Sequence, residues 1–233
     1  MKIGVWNIDH PEFGTRSRAK QNRYEKILHF LGVADCDIYV LSEANSAINL
    51  PGYQAQFSDE SPFKNQSRSY APPNRYHQVG IYSRLPISKI DISEPLNGVL
   101  CQVHGLNEIF NIYGNVVTIK DRWKKDSSLK YTDRLYEQIS AISSLSKVKT
   151  IVAGDFNLKV GWSQKAKAHL AVEQELEHKG WVWPTKMQTH SVQHILHTPD
   201  IFVEVSEDCD VNQSSSNGLK LSDHPFLQAN LSN

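Results

Sequence analysis

Two short runs hold the residues best suited to chemistry. Gly154-Asp155-Phe156-Asn157 closes the apolar run Thr150-Ile151-Val152-Ala153, and Leu221-Ser222-Asp223-His224-Pro225 follows a polar, turn-prone stretch late in the chain. Each sets an acid beside a second polar residue where a strand should run out into a loop. Metal-assisted attack on phosphorus needs such a set: carboxylates for a cation, a group to handle the proton, and neutral donors facing the phosphoryl oxygens. Two further runs fit. Lys2-Ile3-Gly4-Val5-Trp6-Asn7 ends an opening strand on an amide, and Asp37-Ile38-Tyr39-Val40-Leu41-Ser42-Glu43 ends another on a carboxylate. Asp155 and Asn157 are two residues apart, so in an extended segment they point to one side. Taken singly, each piece has an ordinary explanation: a strand-end acid in water for Glu43, an Asp/Asn turn for Asp155 and Asn157, a structural ring for a histidine before a proline.

Taken in order, the motifs resemble those of the endonuclease/exonuclease/phosphatase superfamily: strand-Asn, strand-Glu, Gly-Asp-x-Asn, a late Asp, Ser-Asp-His. Pancreatic deoxyribonuclease, abasic-site endonucleases, sphingomyelinases and inositol-polyphosphate phosphatases share that fold. The resemblance runs from Asn7 to His224 and speaks to fold and chemistry better than to substrate. It implies that Glu43 holds Mg²⁺, or Mn²⁺ in its place, that Asn7 completes the site through its carbonyl, and that Asp223 supports it. It implies that Asp155 orients or deprotonates the attacking water and that Asn157 donates its amide to the developing charge. His224 would contact the scissile phosphate, with Asp200 orienting its ring through the other nitrogen. The chain departs from the pattern on the middle strand. Where many members carry a histidine or tyrosine, this chain has Asn115, whose amide can donate a hydrogen bond but cannot act as an acid. Tyr113 and Lys120 are nearby substitutes for that phosphate contact.

The elements that must position these residues read as one α/β domain over 1–233. The apolar spacing of Tyr24, Ile27, Leu28 and Leu31 predicts a helix over Arg16 to Leu31, stopped by Gly32. Leu135, Ile139, Ile142 and Leu145 predict another over Thr132 to Lys147, and a third runs from Ser163 to Lys179 before Gly180. Besides the two opening strands, β-rich runs cover Gln78 to Ser83, Ile87 to Ile92, Val99 to Val103, Ile109 to Val117, Thr150 to Ala153, Ile201 to Val205 and Pro225 to Leu231. Strands outnumber helices and several form neighbouring pairs suited to hairpins. That departs from a doubly wound alternation and fits the four-layer α/β sandwich the resemblance implies, two packed mixed sheets with helices outside.

Composition bounds the rest. At 233 residues, 39% hydrophobic and 21% charged, the chain is of ordinary globular make-up. No apolar run is long enough to span a bilayer, and no h-region follows Met1-Lys2, so a cytoplasmic monomer is the expectation. Cys36, Cys101 and Cys209 show no paired spacing and read as free thiols. His190, His194 and His197 align on a helix and invite zinc, but acid and cysteine companions are missing. The 25 basic and 25 acidic residues balance, which argues against binding nucleic acid through net charge. A local basic surface remains: Lys120, Arg122, Trp123, Lys124 and Lys125 mix cations with a stacking aromatic, and Arg75 lies in a second such stretch beginning at Arg68. Either loop reads equally as a solvated surface. The leading functional expectation is a divalent-metal-dependent phosphodiester hydrolase acting on DNA or RNA. The alternatives are hydrolysis of a small or lipid phosphoester and, from another class, a catalytically silent binding domain of the same fold.

Overall fold

A computed structural model describes residues 1–60, 75–92, 98–105, 108–117, 131–158, 166–188, 191–206 and 220–232. Eleven strands and three helices are defined there. In chain order they are β1 (Lys2–Asn7), α1 (Arg18–Ala34), β2 (Ile38–Ser42), β3 (Gln54–Phe57), β4 (Val79–Ser83), β5 (Ile87–Ile90) and β6 (Gly98–His104). There follow β7 (Ile109–Val116), α2 (Tyr131–Ser144), β8 (Thr150–Asp155), α3 (Ala166–His178), β9 (Gln193–His197), β10 (Phe202–Val205) and β11 (Leu227–Ser232). One sheet has the order β10-β11-β1-β2-β4-β3 and the other β5-β6-β7-β8-β9. Both are mixed: β1 and β2 run parallel, as do β7 and β8, among antiparallel neighbours.

Strand alternation builds the layers. Ile3 and Val5 of β1, Ile38 and Val40 of β2, and Ile151 and Ala153 of β8 face one another in the core between the sheets. The opposite faces of the same strands carry Trp6, Tyr39 and Leu41, which α1 covers with Tyr24, Ile27 and Leu31. Tyr113, Val152 and Leu196 are covered in the same way by Leu135, Ile139 and Ile142 of α2 and by Val172 and Leu176 of α3. The result is the expected α/β sandwich. No helix among the described residues is long and apolar enough to cross a membrane.

Three local differences from the sequence reading have physical reasons. Helix α1 runs through Gly32 to Ala34, because a glycine late in a helix costs only about 1 kcal/mol. The stop comes at Asp35, whose φ of 50° is left-handed, while Lys2 Nζ donates to the Ala34 carbonyl at 2.9 Å. Strand β3 escapes notice because it is a polar edge strand, pairing only with β4. Strand β9 escapes because Ile195 and Leu196 are its only aliphatic residues and the histidines suggest helical spacing. In the strand, His194 and His197 are an odd number of residues apart and fall on opposite faces.

Candidate active site

The ends of β1, β2 and β8 and the turn before β11 bring together Asn7, Glu43, Asp155, Asn157 and His224, which lie far apart in sequence. Asp155 is buried at the end of β8. Its Oδ2 accepts the Asn7 amide at 2.8 Å, reaching across from the other sheet, and its Oδ1 accepts the Asn157 backbone N–H at 2.8 Å. His224 Nδ1 stands 3.7 Å from the same Oδ2. Burial pushes the Asp155 carboxyl above its ordinary value and nearby Glu43 adds to the rise, while His224, the Asn7 amide and the Asn157 N–H pull the other way.

Gly154 explains how the strand can end there. Its φ is 150°, and a Cβ at this position would lie 1.9 Å from the Asn115 carbonyl oxygen, so β7 and β8 could not approach as they do with any side chain present. Left-handed backbone is concentrated here. Of the six non-glycine residues with positive φ among the described residues, Asp9, His10, Glu43 and Asn157 belong to the site or its loops. Such conformations persist where surrounding contacts hold them.

Those contacts are visible. Glu43 donates its N–H to the Gln78 carbonyl at 2.7 Å, and its own carbonyl receives the His10 N–H at 3.0 Å. Its Oε1 lies 3.5 Å from the Asn7 amide nitrogen, and its Oε2 receives His10 Nε2 at 2.8 Å. His10 itself is buried, its ring edge-on to Tyr76 at 5.1 Å. Arg23 of α1 ties two site loops together. It donates to the carbonyls of Ile8 at 2.6 Å, Asp9 at 3.2 Å and Leu221 at 2.8 Å. Burial pulls the Arg23 pKa down against the acids around it, which restore part of the difference. Ser222 Oγ donates to the Asn7 carbonyl at 2.6 Å and accepts the His224 N–H at 3.1 Å, and Trp6 Nε1 donates to the His224 carbonyl.

His10 and Arg23 went unremarked in the sequence. The signal for His10 was its place three residues beyond Asn7. Arg23 gave none, since a cation on an amphipathic helix ordinarily faces solvent.

The structure places the remaining expected residues as follows. Asp200 does not orient His224. It stands beside the start of β8, accepting the Lys149 N–H at 2.9 Å and the Thr198 hydroxyl. The site is at the far end of that strand, roughly 17 Å away at about 3.3 Å per residue. Tyr113 points to the helix layer, where its hydroxyl accepts the Gln138 amide at 2.9 Å and burial pushes its pKa to about 12. It is no phosphate contact. Asn7 presents its amide nitrogen, rather than its carbonyl, towards Glu43 and Asp155; the carbonyl accepts the Asp9 N–H at 2.9 Å. Asn157 spends an amide hydrogen on the Val117 carbonyl at 2.9 Å. Asp223 is exposed and stands 3.4 Å from His224 Nε2. Arg75 is a surface residue 3.7 Å from Glu60. Asn115 is fully buried beside Gly154, with neither side-chain heteroatom hydrogen-bonded among the described residues. Lys120, Arg122 and Trp123 lie outside the described residues, as do Cys209 and His190.

Among the described residues no three His, Cys, Asp or Glu side chains gather into a metal-ligating group. The donor set nevertheless suits a hard cation. Glu43 is the half-exposed carboxylate of the cluster, and Asn7 can turn its amide oxygen towards it. Mg²⁺ is commonly held by one or two carboxylates with waters and substrate oxygens filling the remaining positions.

The sequence profile of the Endonuclease/Exonuclease/phosphatase family matches residues 4–224. No curated protein matches the chain. Solved structures do. The endonuclease domain of TRAS1, a telomere-specific non-LTR retrotransposon, has a TM-score of 0.61 at 14% identity, over 99% of this chain and 97% of that one. The 3' phosphatase NExo from Neisseria, bound to a product DNA hairpin, has a TM-score of 0.62 at 14% identity over the full length of both. Sphingomyelinase C from Streptomyces griseocarneus has a TM-score of 0.60 at 14% identity, over 100% of this chain and 99% of that one. Identities this low carry the fold and no more.

Proposed function

Because the chain belongs to the endonuclease/exonuclease/phosphatase family, whose members are phosphoester hydrolases, we propose that it hydrolyses phosphodiesters of nucleic acid with the help of Mg²⁺ or Mn²⁺. The observation that carries this reading is the Asp155 carboxylate, buried, held by Asn7 and Asn157, and faced by His224.

Each residue has a defined task in that reaction. Asp155 accepts a proton from the attacking water, and burial makes it the stronger base for doing so. Asn7 and the Asn157 N–H fix the carboxylate so that no reorganisation is needed at the moment of transfer. His224 binds a phosphoryl oxygen, with Trp6 and Ser222 setting its backbone. Glu43 and Asn7 would hold the cation, with His10 fixing the carboxylate. A bound cation supplies Lewis-acid stabilisation of the phosphoryl charge. Nucleic acid is favoured over a small or lipid substrate by the cations and Trp123 between β7 and α2, which suit a polyanion with stackable bases. One solved neighbour is itself bound to DNA.

A substrate panel tests this directly. Single- and double-stranded DNA, RNA, sphingomyelin and inositol phosphates would be incubated with Mg²⁺ or Mn²⁺ at low salt. Cleavage of a nucleic acid, abolished by excess chelator and strongly reduced in Glu43→Gln, is the expected result. Turnover confined to the lipid or the inositol phosphates would refute the substrate assignment, and full activity in chelator would refute the metal.

A further inference from the structure

Gln193 opens β9 with a polar side chain that nothing in the fold uses. It is fully buried, and among the described residues neither its amide oxygen nor its amide nitrogen has a hydrogen-bond partner. Folded proteins leave few such groups, because a desolvated donor or acceptor without a partner is costly. Its position gives the orphaned amide a meaning. Gln193 is the register partner of Asp155 across the β8–β9 pair, and paired residues on adjacent strands put their side chains on one face. Ile195, two residues further along β9, packs in the core between the sheets. Gln193 therefore shares the face of Asp155, the one on which Asn7 reaches across from β1.

The backbone holds it there. The Ser191 hydroxyl accepts the Gln193 N–H at 3.0 Å and donates to the Gln193 carbonyl at 3.3 Å. The Phe156 N–H donates to the Val192 carbonyl at 3.0 Å, tying the start of β9 to the loop that carries Asn157. Asn115 flanks β8 from the other side as a second buried amide without partners among the described residues.

A free donor and a free acceptor beside a general base suit a phosphoryl group and its attacking water. Neutrality matters as well. A carboxylate at 193 would repel an anionic ester already facing Glu43 and Asp155, and a cation would pair with Asp155 and weaken it as a base. An amide does neither. We propose that Gln193 contacts the substrate: Nε2 donates to a non-bridging phosphoryl oxygen, and Oε1 accepts a hydrogen bond from the attacking water. This rests on the hydrolase reading given above.

The test uses inorganic phosphate as the probe, titrated calorimetrically into the full chain, alongside thermal unfolding and steady-state kinetics on a small phosphodiester. Gln193→Met keeps volume and removes the polar atoms. It should weaken phosphate binding by about tenfold or more, the usual loss for one hydrogen bond to a charged group, and raise KM. Its thermal midpoint should be retained or raised, since a buried amide without partners is removed. Gln193→Glu should weaken phosphate further. Unchanged phosphate affinity in Gln193→Met overturns the proposal, and if the midpoint also drops, the amide serves a buried structural water. Absence of phosphate binding by the parent protein overturns it too. If the parent protein cleaves no phosphoester yet its phosphate affinity depends on Gln193, the hydrolase reading fails and the contact stands. If it cleaves well and Gln193→Met matches it in affinity and KM, the contact fails and the hydrolase reading stands.

Discussion

Asp155 ends strand β8, and Asp200 stands beside the residues that begin it. Both are aspartates at the edge of one sheet, and both accept a backbone N–H. Asp155 is buried, beside Glu43, and its carboxyl is pushed up by desolvation. Asp200 is exposed. What burial it has works to raise its pKa, but hydrogen bonds from Thr198 and Lys149 outweigh that and hold it below the ordinary carboxylate value. One end of the sandwich thus holds an acid whose charge costs the fold energy, and the other an acid whose charge stabilises it. On the proposed function, that contrast separates the acid assigned to chemistry from one that serves structure.

Exchanging the two acids one at a time breaks the comparison most sharply. Asp155→Asn should lower turnover by roughly a thousandfold, within the range for loss of a positioned base. Its thermal midpoint should be retained or raised, because the ionised carboxylate is no longer buried. Asp200→Ala should do the reverse: activity within about twofold of the parent protein, with stability lower by about 1 kcal/mol as two hydrogen bonds are lost. Denaturant unfolding and steady-state kinetics on the same preparations would decide it. A large loss of activity in Asp200→Ala would show that the two ends are coupled.

His224→Ala comes next, with an expected rate loss of at least about a hundredfold. Among the described residues its ring stands 3.7 Å from Asp155 and 3.4 Å from Asp223. A His224→Ala variant that kept its rate would remove the imidazole from the reaction and leave the proton transfer to Asp155 alone.

How much of this was legible in the sequence follows from the same contrast. Asn7, Glu43, Asp155 and Asn157 could be picked out because each sits in a short local pattern at the end of an apolar run, and His224 because Ser222-Asp223-His224 completes the ordered motif set. Periodicity likewise revealed the helices and most strands. Asp200 was paired with His224 through its resemblance to the family's strand aspartate, whereas the structure sets it against Lys149 and Thr198 beside the start of β8. Which end of a sheet it occupies depends on the register of β9 against β8, and β9 itself was hidden among histidines. Gln193 was invisible for that reason, since its only distinction is the residue it faces across the ladder. Arg23 and His10 act through contacts between loops distant in sequence, which no periodicity encodes.

Arg23 offers a smaller effect that sharpens the comparison between buried and exposed ionic groups. Arg23→Met removes the donor shared by the Ile8, Asp9 and Leu221 carbonyls. It should cost about 2 kcal/mol of stability, as for hydrogen bonds from a charged group. Activity should fall by about tenfold as the loops bearing Asn7 and His224 loosen. Arg84, whose ion pair with Asp35 is exposed at the surface, is the control: Arg84→Met should change stability by less than about 1 kcal/mol and leave turnover alone. Equal effects from the two would mean that the Arg23 clamp has no special part in holding the site.

The smallest effect concerns pH and again sets the two ends side by side. His197 closes β9 near Asp200, and His77 precedes Gln78, whose carbonyl receives the Glu43 N–H. Burial pulls both imidazoles below the ordinary value of 6.5, only partly offset by the backbone carbonyls that accept from them. The folded chain therefore keeps both rings neutral at a pH where the unfolded chain has begun to bind protons. Stability should accordingly be full above 6.5 and decline as pH falls from there towards the folded-state values. His197→Gln should remove part of that decline without touching turnover, because the ring lies at the structural end of the sheet. His77→Gln should remove a comparable part but also disturb activity, because the His77 ring bonds the Ser58 carbonyl at 2.7 Å and the Ser58 hydroxyl accepts the N–H of Gln78, whose carbonyl receives the Glu43 N–H. Thermal midpoints between pH 8 and pH 5, the span that brackets the histidine range, would read the stability change, and turnover would separate the two variants. If neither flattens the profile, the acid sensitivity of this fold lies in its carboxylates.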